Sequence, residues 1–512
     1  MNTSLRSSSL ILLVILLATV ALLGCGGRRT VEVILAGEGE GEGEPGEGEG
    51  ESEGEVPVEV VGHDRELRGA WVATVFGINW PSNPNATAAV KRQELIDLVD
   101  TVADSGINAI FFQTRPESDA MYLSSLEPWS RFLTGTQGRD PGFDPLQTAI
   151  DAAHARGVEL HAWVNPYRGL TSTTVTAANN HVSKTLRPDA ISYDGGIWMN
   201  PASPSVRGHV VDVVEDIVAR YDVDGIHFDD YFYPYPGDTA FPDATAYTAY
   251  TNSGGTLSKS AWRRENVNTL IDDVSVAIAA LRPSARFGVS PFGIYKNGVP
   301  TAIAGLDAFE AISCDPVTWL AMDWIDYVAP QLYWPTTQTQ HAFGTLLPWW
   351  ASLTDGDGRF VVAGMNLAAI GVPGRGFNLA EYVAEIEIVR AHRDEGAGGT
   401  LLYHVGPLLD DDDVGAAFAT HNIQLALPPP VVADLRVPAV AAARIDGGDV
   451  VIDAVGPDDR GVAFYIEIGG GFVLESLHLQ RAPVRLAHRG RRVAVTTVGK
   501  NDRESAPLVL RP

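Results

Sequence analysis

Short apolar runs alternate with longer amphipathic stretches through the middle of the chain. The short runs are rich in β-branched and aromatic residues, as strands are, and the predicted strands are 67–74, 107–113, 158–165, 223–229, 286–292, 325–331, 359–366 and 399–405. Each is followed by a stretch with helical periodicity, and the predicted helices are 87–105, 144–156, 204–221, 258–281, 302–322, 339–352, 378–396 and 411–422. Eight successive strand–helix units predict a closed (β/α)8 TIM barrel.

Proline and glycine mark the ends of several of these helices. Asp144-Pro145 and Ser203-Pro204 place proline just inside two predicted helices, and Gly157 follows the end of the first of them. An open doubly wound sheet is the alternative fold, and it favours a glycine-rich phosphate loop after the first strand. The turn there reads Phe76-Gly77-Ile78-Asn79-Trp80-Pro81, which is not such a loop. We therefore expect the barrel to span residues 63–427.

The last part of the chain has a different pattern. After Pro428-Pro429-Pro430, short strand-like runs at 431–435, 450–455, 462–468, 472–479, 484–486 and 493–498 are separated by turn residues, without helical periodicity. This pattern predicts a small all-β sandwich over residues 428–512, similar to a fibronectin type III module. We expect it to serve in docking or spacing rather than in catalysis.

The first residues are typical of an export signal. Arg6 precedes an apolar run at 10–23, which is too short for a comfortable membrane span and ends Leu22-Leu23-Gly24-Cys25. This string resembles a bacterial lipobox, so we expect residues 1–24 to be a lipoprotein signal peptide and Cys25 to be lipidated. Residue 26 is Gly rather than Asp, which favours the outer membrane in a cell with two membranes. The protein is then exported and held at a membrane by its lipid.

Charge and cysteine content narrow the function. Residues 25–62 contain a Gly/Glu repeat that predicts a disordered linker, and this repeat contributes nine of the 27 net negative charges of the 512-residue chain. A net charge of −27 argues against a nucleic-acid partner. With only Cys25 and Cys314, the chain has neither a disulfide scaffold nor a cysteine-rich zinc site.

The segments that follow the predicted strands carry the candidate chemistry. In a (β/α)8 barrel these loops form the active face. They combine carboxylates, amides, one arginine and many aromatic residues, which suits a carbohydrate because aromatic faces stack on sugar rings while amides and carboxylates bind hydroxyl groups. The residues expected to line the sugar site are Arg115, Asn165, Tyr167, His227, Tyr231, Tyr233, Gln331, Tyr333 and Trp334.

The end of the fourth strand supplies the leading catalytic candidate. Alternation in Gly225-Ile226-His227-Phe228-Asp229 directs Ile226 and Phe228 to the helices, and His227 and Asp229 into the barrel. Asp229 is therefore predicted to be a nucleophile or another essential carboxylate. A glycosidase needs a second carboxylate, and Asp119 and Asp230 both stay candidates, with Asp230 pointing away unless the strand has already ended. No metal-ligand spacing occurs, so neither a metal nor a cofactor is expected.

Several of these strings, in this order, resemble a bacterial family of glycosyl-hydrolase-like lipoproteins that includes the divisome-localised glycosyl hydrolase. The matching strings are Leu67-Arg68-Gly69-Ala70-Trp71-Val72, Ser124 to Ser130 with Leu133-Thr134-Gly135, Asp140 to Leu146, His161 to Arg168, Gly225 to Pro234, Ser290 to Gly293 and Pro330 to Trp334. The resemblance implies a TIM barrel, a lipid anchor and hydrolysis of peptidoglycan glycan strands that lack stem peptides. Glu117-Ser118 stand where the family pattern has a small residue and Gly before the aspartate that matches Asp119.

Two functions stay open at this point. The first is a lipid-anchored glycoside hydrolase that acts on a cell-envelope polysaccharide. The alternative is a non-catalytic glycan-binding envelope lipoprotein, which the lack of an obvious second acid after strands five to seven would suit. The pattern does not determine the oligomeric state.

Overall fold

Eight parallel strands form a closed barrel, as the periodicity predicts. The structure, a computed structural model, describes residues 61–354 and 358–512; the predicted signal peptide, Cys25 and the linker up to residue 60 lie outside them. Each barrel strand pairs with the next, and the last pairs with the first. The strands are β1 Leu67–Val72, β2 Ala109–Arg115, β3 Glu159–Val164, β4 Gly225–Phe228, β5 Arg286–Val289, β6 Tyr327–Val328, β7 Phe360–Met365 and β8 Ala397–Leu402.

Helices on the outside of the barrel follow the strands. The main ones are Ala88–Asp104, Pro145–Ala155, Pro204–Arg220, Lys259–Leu281, Phe343–Ala351, Leu379–Ala391 and Asp412–His421. Shorter ones are Arg131–Thr134, Val182–Thr185, Ala244–Asn252, Ala308–Ala311, Pro316–Ala321 and Gly406–Asp410, with 3-10 turns at Val75–Gly77, Arg187–Asp189, Leu367–Ala369 and Arg393–Glu395. The Asp144 and Ser203 side chains accept backbone N–H groups at two helix starts, as N-caps do.

One predicted helix, 302–322, is wrong. It consists of two short helices, Ala308–Ala311 and Pro316–Ala321. Ser313 between them has a left-handed φ of 59°, and Pro316 cannot continue a preceding turn. Asp315 instead caps the second helix by accepting the Thr318 N–H.

Side chains alternate between the barrel interior and the helix layer. Trp71, Phe111, Trp163 and Tyr327 belong to the interior cluster. Ile226 and Phe228 of β4 belong instead to the core beneath the helices, which confirms the orientation predicted for that strand. We call the barrel end at which the strands finish the mouth, and the opposite end the floor.

Two further groups of antiparallel strands complete the described chain. Between β3 and β4, Arg168–Leu170, Ala190–Tyr193 and Gly196–Met199 form a small sheet. Towards the C-terminus, one sheet contains Ala443–Asp446, Asp449–Ile452 and Val484–Ala487, and the other contains Asp459–Ile468, Gly471–His478, Val493–Gly499 and Leu508–Leu510.

The all-β character of the C-terminal part is confirmed, but the predicted strand 431–435 is wrong. The Asp434 carbonyl accepts side-chain N–H groups of Asn501 and Arg503 instead of pairing in a sheet. The domain boundaries at 62/63 and 427/428 stay predictions. None of the helices in the described chain is both long and apolar enough to cross a membrane.

Buried ion pairs join the C-terminal sheets to the barrel floor. Arg286 and Arg460 bind the Glu159 carboxylate at 2.8 and 2.7 Å, and both also bind Asp502. Arg65, just before β1, pairs with Glu504 at 2.7 Å. The floor is therefore covered by the C-terminal sheets, and the mouth is the end at which a ligand can reach the strand ends.

Candidate functional site

A cavity of about 220 Å³ lies at the mouth, where the strand ends converge. Larger hollows of about 430 and 520 Å³ lie at the floor beside the C-terminal sheets; we take the mouth cavity as the candidate site because barrel enzymes place their chemistry at strand C-terminal ends. Its lining residues are Trp71, Ala73, Val75, Gln113, Trp163, Arg168, Asp229, Asp230, Tyr231, Ser290, Gln331, Tyr333 and Tyr403.

Asp229 lies in this cavity directly after β4 and is held by three donors. Its Oδ2 accepts the Trp163 Nε1–H at 3.1 Å and a hydrogen bond from the Asn165 amide. Its Oδ1 accepts the Tyr231 backbone N–H at 3.2 Å. These bonds fix the carboxylate in one orientation and favour its ionised form.

A second layer fixes the direction of the Asn165 amide. Gln113 Oε1 accepts the backbone N–H groups of Thr74 and Val75 at 2.9 and 2.8 Å, so the Gln113 amide nitrogen must face the other way. It donates to Asn165 Oδ1 at 2.8 Å. Asn165 is thereby left with its NH2 group towards Asp229, and the end of β1 is connected to the carboxylate through two amides.

Asp230 lines the same cavity. The strand has ended at Phe228, so alternation no longer applies and both acids reach the site. The Tyr235 hydroxyl donates to Asp230 Oδ2, and the Gln331 amide also binds this carboxyl. Asp230 is thus the carboxylate that the structure brings next to Asp229.

The two acids share a buried environment that favours protonation. Burial, opposed by the charge of Arg168 and assisted by that of Asp230, raises the pKa of Asp229 to about 7. Burial likewise raises the pKa of Asp230 to about 6. Between these pH values the pair can hold one proton, the state that general acid–base chemistry near neutral pH requires.

His227 lies below the cavity rather than in its lining. Its Nε2 accepts the Trp71 Nε1–H at 3.1 Å and its Nδ1 contacts the Tyr327 hydroxyl at 2.9 Å. Burial holds the pKa of His227 well below its usual value, so the ring is neutral. Both ring nitrogens are bound by protein groups, so His227 supports the cavity from below, and its predicted sugar-binding role stays a prediction.

Arg168 is a cavity residue that the sequence prediction omitted. Its guanidinium lies 4.1 Å from the centre of the Tyr231 ring, in a cation–π contact. It is the cation among the lining residues, and its charge opposes the rise in pKa of both acids. The string Asn165-Pro166-Tyr167-Arg168 contained it, but the pattern did not show which of its side chains would turn inward.

The loop after β2 is built differently from the prediction. Asp119 is fully buried outside the cavity lining, where it accepts the Gln137 amide at 2.9 Å. Arg115 is also buried; it pairs with Glu127 at 2.5 Å and donates to the Asn165 backbone carbonyl at 2.6 Å. The structure thus places Asp119 and Arg115 outside the cavity lining, with Arg115 supporting the β3 loop, and the catalytic and sugar-binding roles predicted for them stay predictions.

The predicted aromatic residues divide into two groups. Tyr231 and Tyr333 line the cavity with Gln331. Tyr167 and Tyr233 instead belong to the core beneath the helices, and Trp334 packs edge-on against Phe292 at 5.6 Å, outside the lining. The prediction missed Trp71, Trp163 and Tyr403; the first two could have been found from strand alternation.

Comparison with known proteins shows the family to which the chain is similar. The model of the family described as "Glycosyl hydrolase-like 10" matches residues 66–376. The chain is 38% identical over 297 residues to "Glycosyl hydrolase YngK" of Bacillus subtilis (strain 168), and the aligned region covers 56% of this chain and 58% of that protein. It is 34% identical over 342 residues to "Glycosyl hydrolase DigH" of Escherichia coli (strain K12), and the aligned region covers 62% of this chain and 77% of that protein.

A solved structure with a similar fold is the PgaB (BpsB) glycoside hydrolase domain from Bordetella bronchiseptica. The TM-score is 0.45 at 13% sequence identity, over 70% of this chain and 98% of that one. The chain spans less than two thirds of the Bacillus relative's length.

Proposed function

Because this chain belongs to the glycosyl hydrolase-like 10 family, we propose that it is a glycoside hydrolase that cleaves a cell-envelope polysaccharide. The observation that carries this proposal is the pair of buried carboxylates in the mouth cavity, held in place by Asn165, Trp163 and Tyr235. The aromatic walls around the pair suit a sugar ring. Asp229 is the central carboxylate, and Asp230 is its partner.

The finer proposal for the substrate is peptidoglycan glycan strands without stem peptides. The likeness of the strings between residues 67 and 334 to the lipoprotein family supports it. The small cavity is also consistent with a sugar chain that carries no bulky peptide at the bound unit. A digest of purified strands, with and without peptides, followed by mass analysis of released fragments, tests this choice.

The role of Asp229 is tested by Asp229→Asn. We expect loss of fragment release with retained folding and retained glycan binding, because the amide keeps the size of the carboxyl but cannot carry its charge. The exposed Asp394→Asn is the matched control and should release fragments like the parent chain. Equal turnover by Asp229→Asn would remove Asp229 from the mechanism.

The rival proposal is a glycan-binding lipoprotein without catalysis. The absence of a carboxylate from any strand end other than that of β4, among the described residues of the cavity lining, favours it. Glycan binding by the parent chain without any new reducing ends, across the pH range, would select this rival.

We further propose that the protein is exported and anchored through lipid on Cys25. The apolar run at 10–23 and the string Leu22-Leu23-Gly24-Cys25 support this. Cell fractionation of Cys25→Ser should move the protein out of the membrane fraction. Retention of this variant in the membrane would contradict the anchor.

A further inference from the structure

One aromatic ring at the mouth is open to solvent. The side chain of Phe76, in the loop after β1, is 65% exposed. Among the described residues, every other Phe, Trp and Tyr is either buried or only partly exposed. A single exposed apolar side chain is by itself common on protein surfaces, so the backbone at Phe76 supplies the second observation.

That backbone is held in a conformation that a bulky residue avoids. The φ of Phe76 is 57°, in the left-handed region, where the Cβ atom crowds the following carbonyl oxygen. Within the described chain, no other aromatic residue has such a φ. Residues in this region persist only where their surroundings fix them, and they are concentrated at active sites and ligand-binding sites.

Hydrogen bonds on both sides of Phe76 fix the loop. The Asn79 side-chain oxygen accepts the Ala73 N–H at 2.8 Å, and the Asn79 N–H donates to the Ala73 carbonyl at 2.9 Å. The Gly77 N–H donates to the Thr74 carbonyl at 3.0 Å. Glycine adopts a left-handed φ freely and would fit the position of Phe76 with less strain. The chain has an aromatic ring there instead.

The exposed ring lies next to the cavity. Val75, the preceding residue, lines the cavity, and its N–H donates to the Gln113 amide oxygen at 2.8 Å. On its protein side, the Phe76 ring meets the buried Phe132 ring edge-on, with centroids 5.5 Å apart. Phe76 is therefore supported by protein on one side and open to solvent beside the cavity.

The cavity is small for a polymer. Its volume is about 220 Å³, whereas sites that enclose a whole small ligand usually measure about 300–1,000 Å³. A glycan chain bound in the cavity therefore continues over the rim of the mouth. The C–H groups on one face of a sugar ring can stack on an aromatic ring that is open to solvent there.

We propose that Phe76 forms a second sugar subsite, in which its ring stacks on a glycan unit next to the unit held in the cavity. This inference rests on the proposed function and specifies the ligand as an extended polysaccharide rather than a free monosaccharide. The fixed loop presents the ring before the glycan arrives, so binding does not have to order the loop. The stacked unit lies outside the cavity, so this contact is equally strong before and during bond cleavage and lowers KM without changing kcat.

The test compares Phe76→Leu with Phe76→Tyr. Leu keeps an apolar side chain and the left-handed backbone but removes the flat ring, whereas Tyr keeps the ring. For peptide-free glycan strands, we expect KM to be about 10-fold higher in Phe76→Leu, or about 1.4 kcal/mol of binding, with kcat unchanged. Phe76→Tyr should stay close to the parent chain. If strands are bound without cleavage, dissociation constants are compared in the same way.

Two further variants separate a subsite from a structural role. Val276→Ala is the matched control, because Val276 on an outer helix is 64% exposed, and its KM should equal that of the parent chain. Phe76→Gly removes the ring and the strain together, so KM should rise as in Phe76→Leu while the melting temperature stays at or above that of the parent chain.

An unchanged KM in Phe76→Leu, or an equal rise in Val276→Ala, would overturn the inference and leave the hydrolase proposal standing. A lower melting temperature in Phe76→Gly would also overturn it, because the ring would then serve to pack against Phe132. If the parent chain neither binds nor cleaves the strands, the proposed function fails, and this inference fails with it.

Discussion

Replacing Asn165 by Ala should shift the pH dependence of hydrolysis in a predictable direction. The Asn165 amide donates to the ionised Asp229 carboxylate inside a buried site. A hydrogen bond to a charged group contributes about 1.5–3 kcal/mol, and about 1.4 kcal/mol corresponds to one pKa unit. Loss of this donor should therefore raise the pKa of Asp229, now about 7, by about one to two units.

The sign of the effect follows from the form of Asp229 that works. The pair works with one proton, and with pKa values of about 7 for Asp229 and about 6 for Asp230 this proton lies on Asp229, so activity is present below the pKa of Asp229 and is lost as the pH rises through it. The alkaline limb of kcat/KM should move up by about one to two pH units. Above pH 7 the variant should therefore keep activity that the parent chain loses.

Gln113→Glu provides a second route to the same result. One oxygen of the introduced carboxylate can still accept the Thr74 and Val75 N–H groups, but the other faces Asn165 Oδ1 as an acceptor, which turns the Asn165 amide around. We expect the same upward shift of the alkaline limb. Reducing-end assays on glycan strands measure both profiles, with the exposed Asn252→Ala as the control. An unmoved alkaline limb in both variants would refute the reasoning.

Three further predictions concern stability. Glu385 is buried with no hydrogen-bond partner for its carboxyl within the described chain, and burial raises its pKa well above 4.5, so the folded state holds a proton that the unfolded state loses. The free energy of unfolding should therefore fall as the pH rises above about 4.5, and it should fall less in Glu385→Leu. Urea denaturation at several pH values measures both chains, and parallel pH curves would count against this prediction. Arg460→Met leaves the buried Glu159 with one partner fewer and should lower the free energy of unfolding by about 3–5 kcal/mol without changing KM; a change in KM alone would contradict this. A Cβ on Gly288 would lie 2.0 Å from Tyr327 Cζ, so Gly288→Ala should lower thermal stability, by about 1–3 kcal/mol; an unchanged melting temperature would show that the barrel interior can yield there.

The barrel was predictable from sequence because its determinants are local. Alternation in β4 identified the inward side chains His227 and Asp229, and Asp144 and Ser203 marked helix starts correctly. The 302–322 prediction failed because it rested on hydrophobic periodicity, which does not register the break at Ser313, although Pro316 marks a helix start in the sequence. The count of eight strand–helix units was enough to predict the order of the strands and the closure of the barrel.

The composition of the site was less predictable because loop conformations depend on distant contacts. Asp119 and Arg115 were expected at the cavity from their position after β2, yet both are used within the protein, on Gln137 and Glu127. Arg168 was omitted although it lines the cavity. The direction of a side chain beyond a strand end is set by such partners, which a single sequence does not reveal.

The Arg65–Glu504 pair puts the start of the described chain beside the C-terminal sheets, at the closed end of the barrel. Val61 and Val509 pack in one cluster there, so the described chain both begins and ends on the side opposite the cavity. A long polymer can therefore lie across the open end without meeting either end of the described chain.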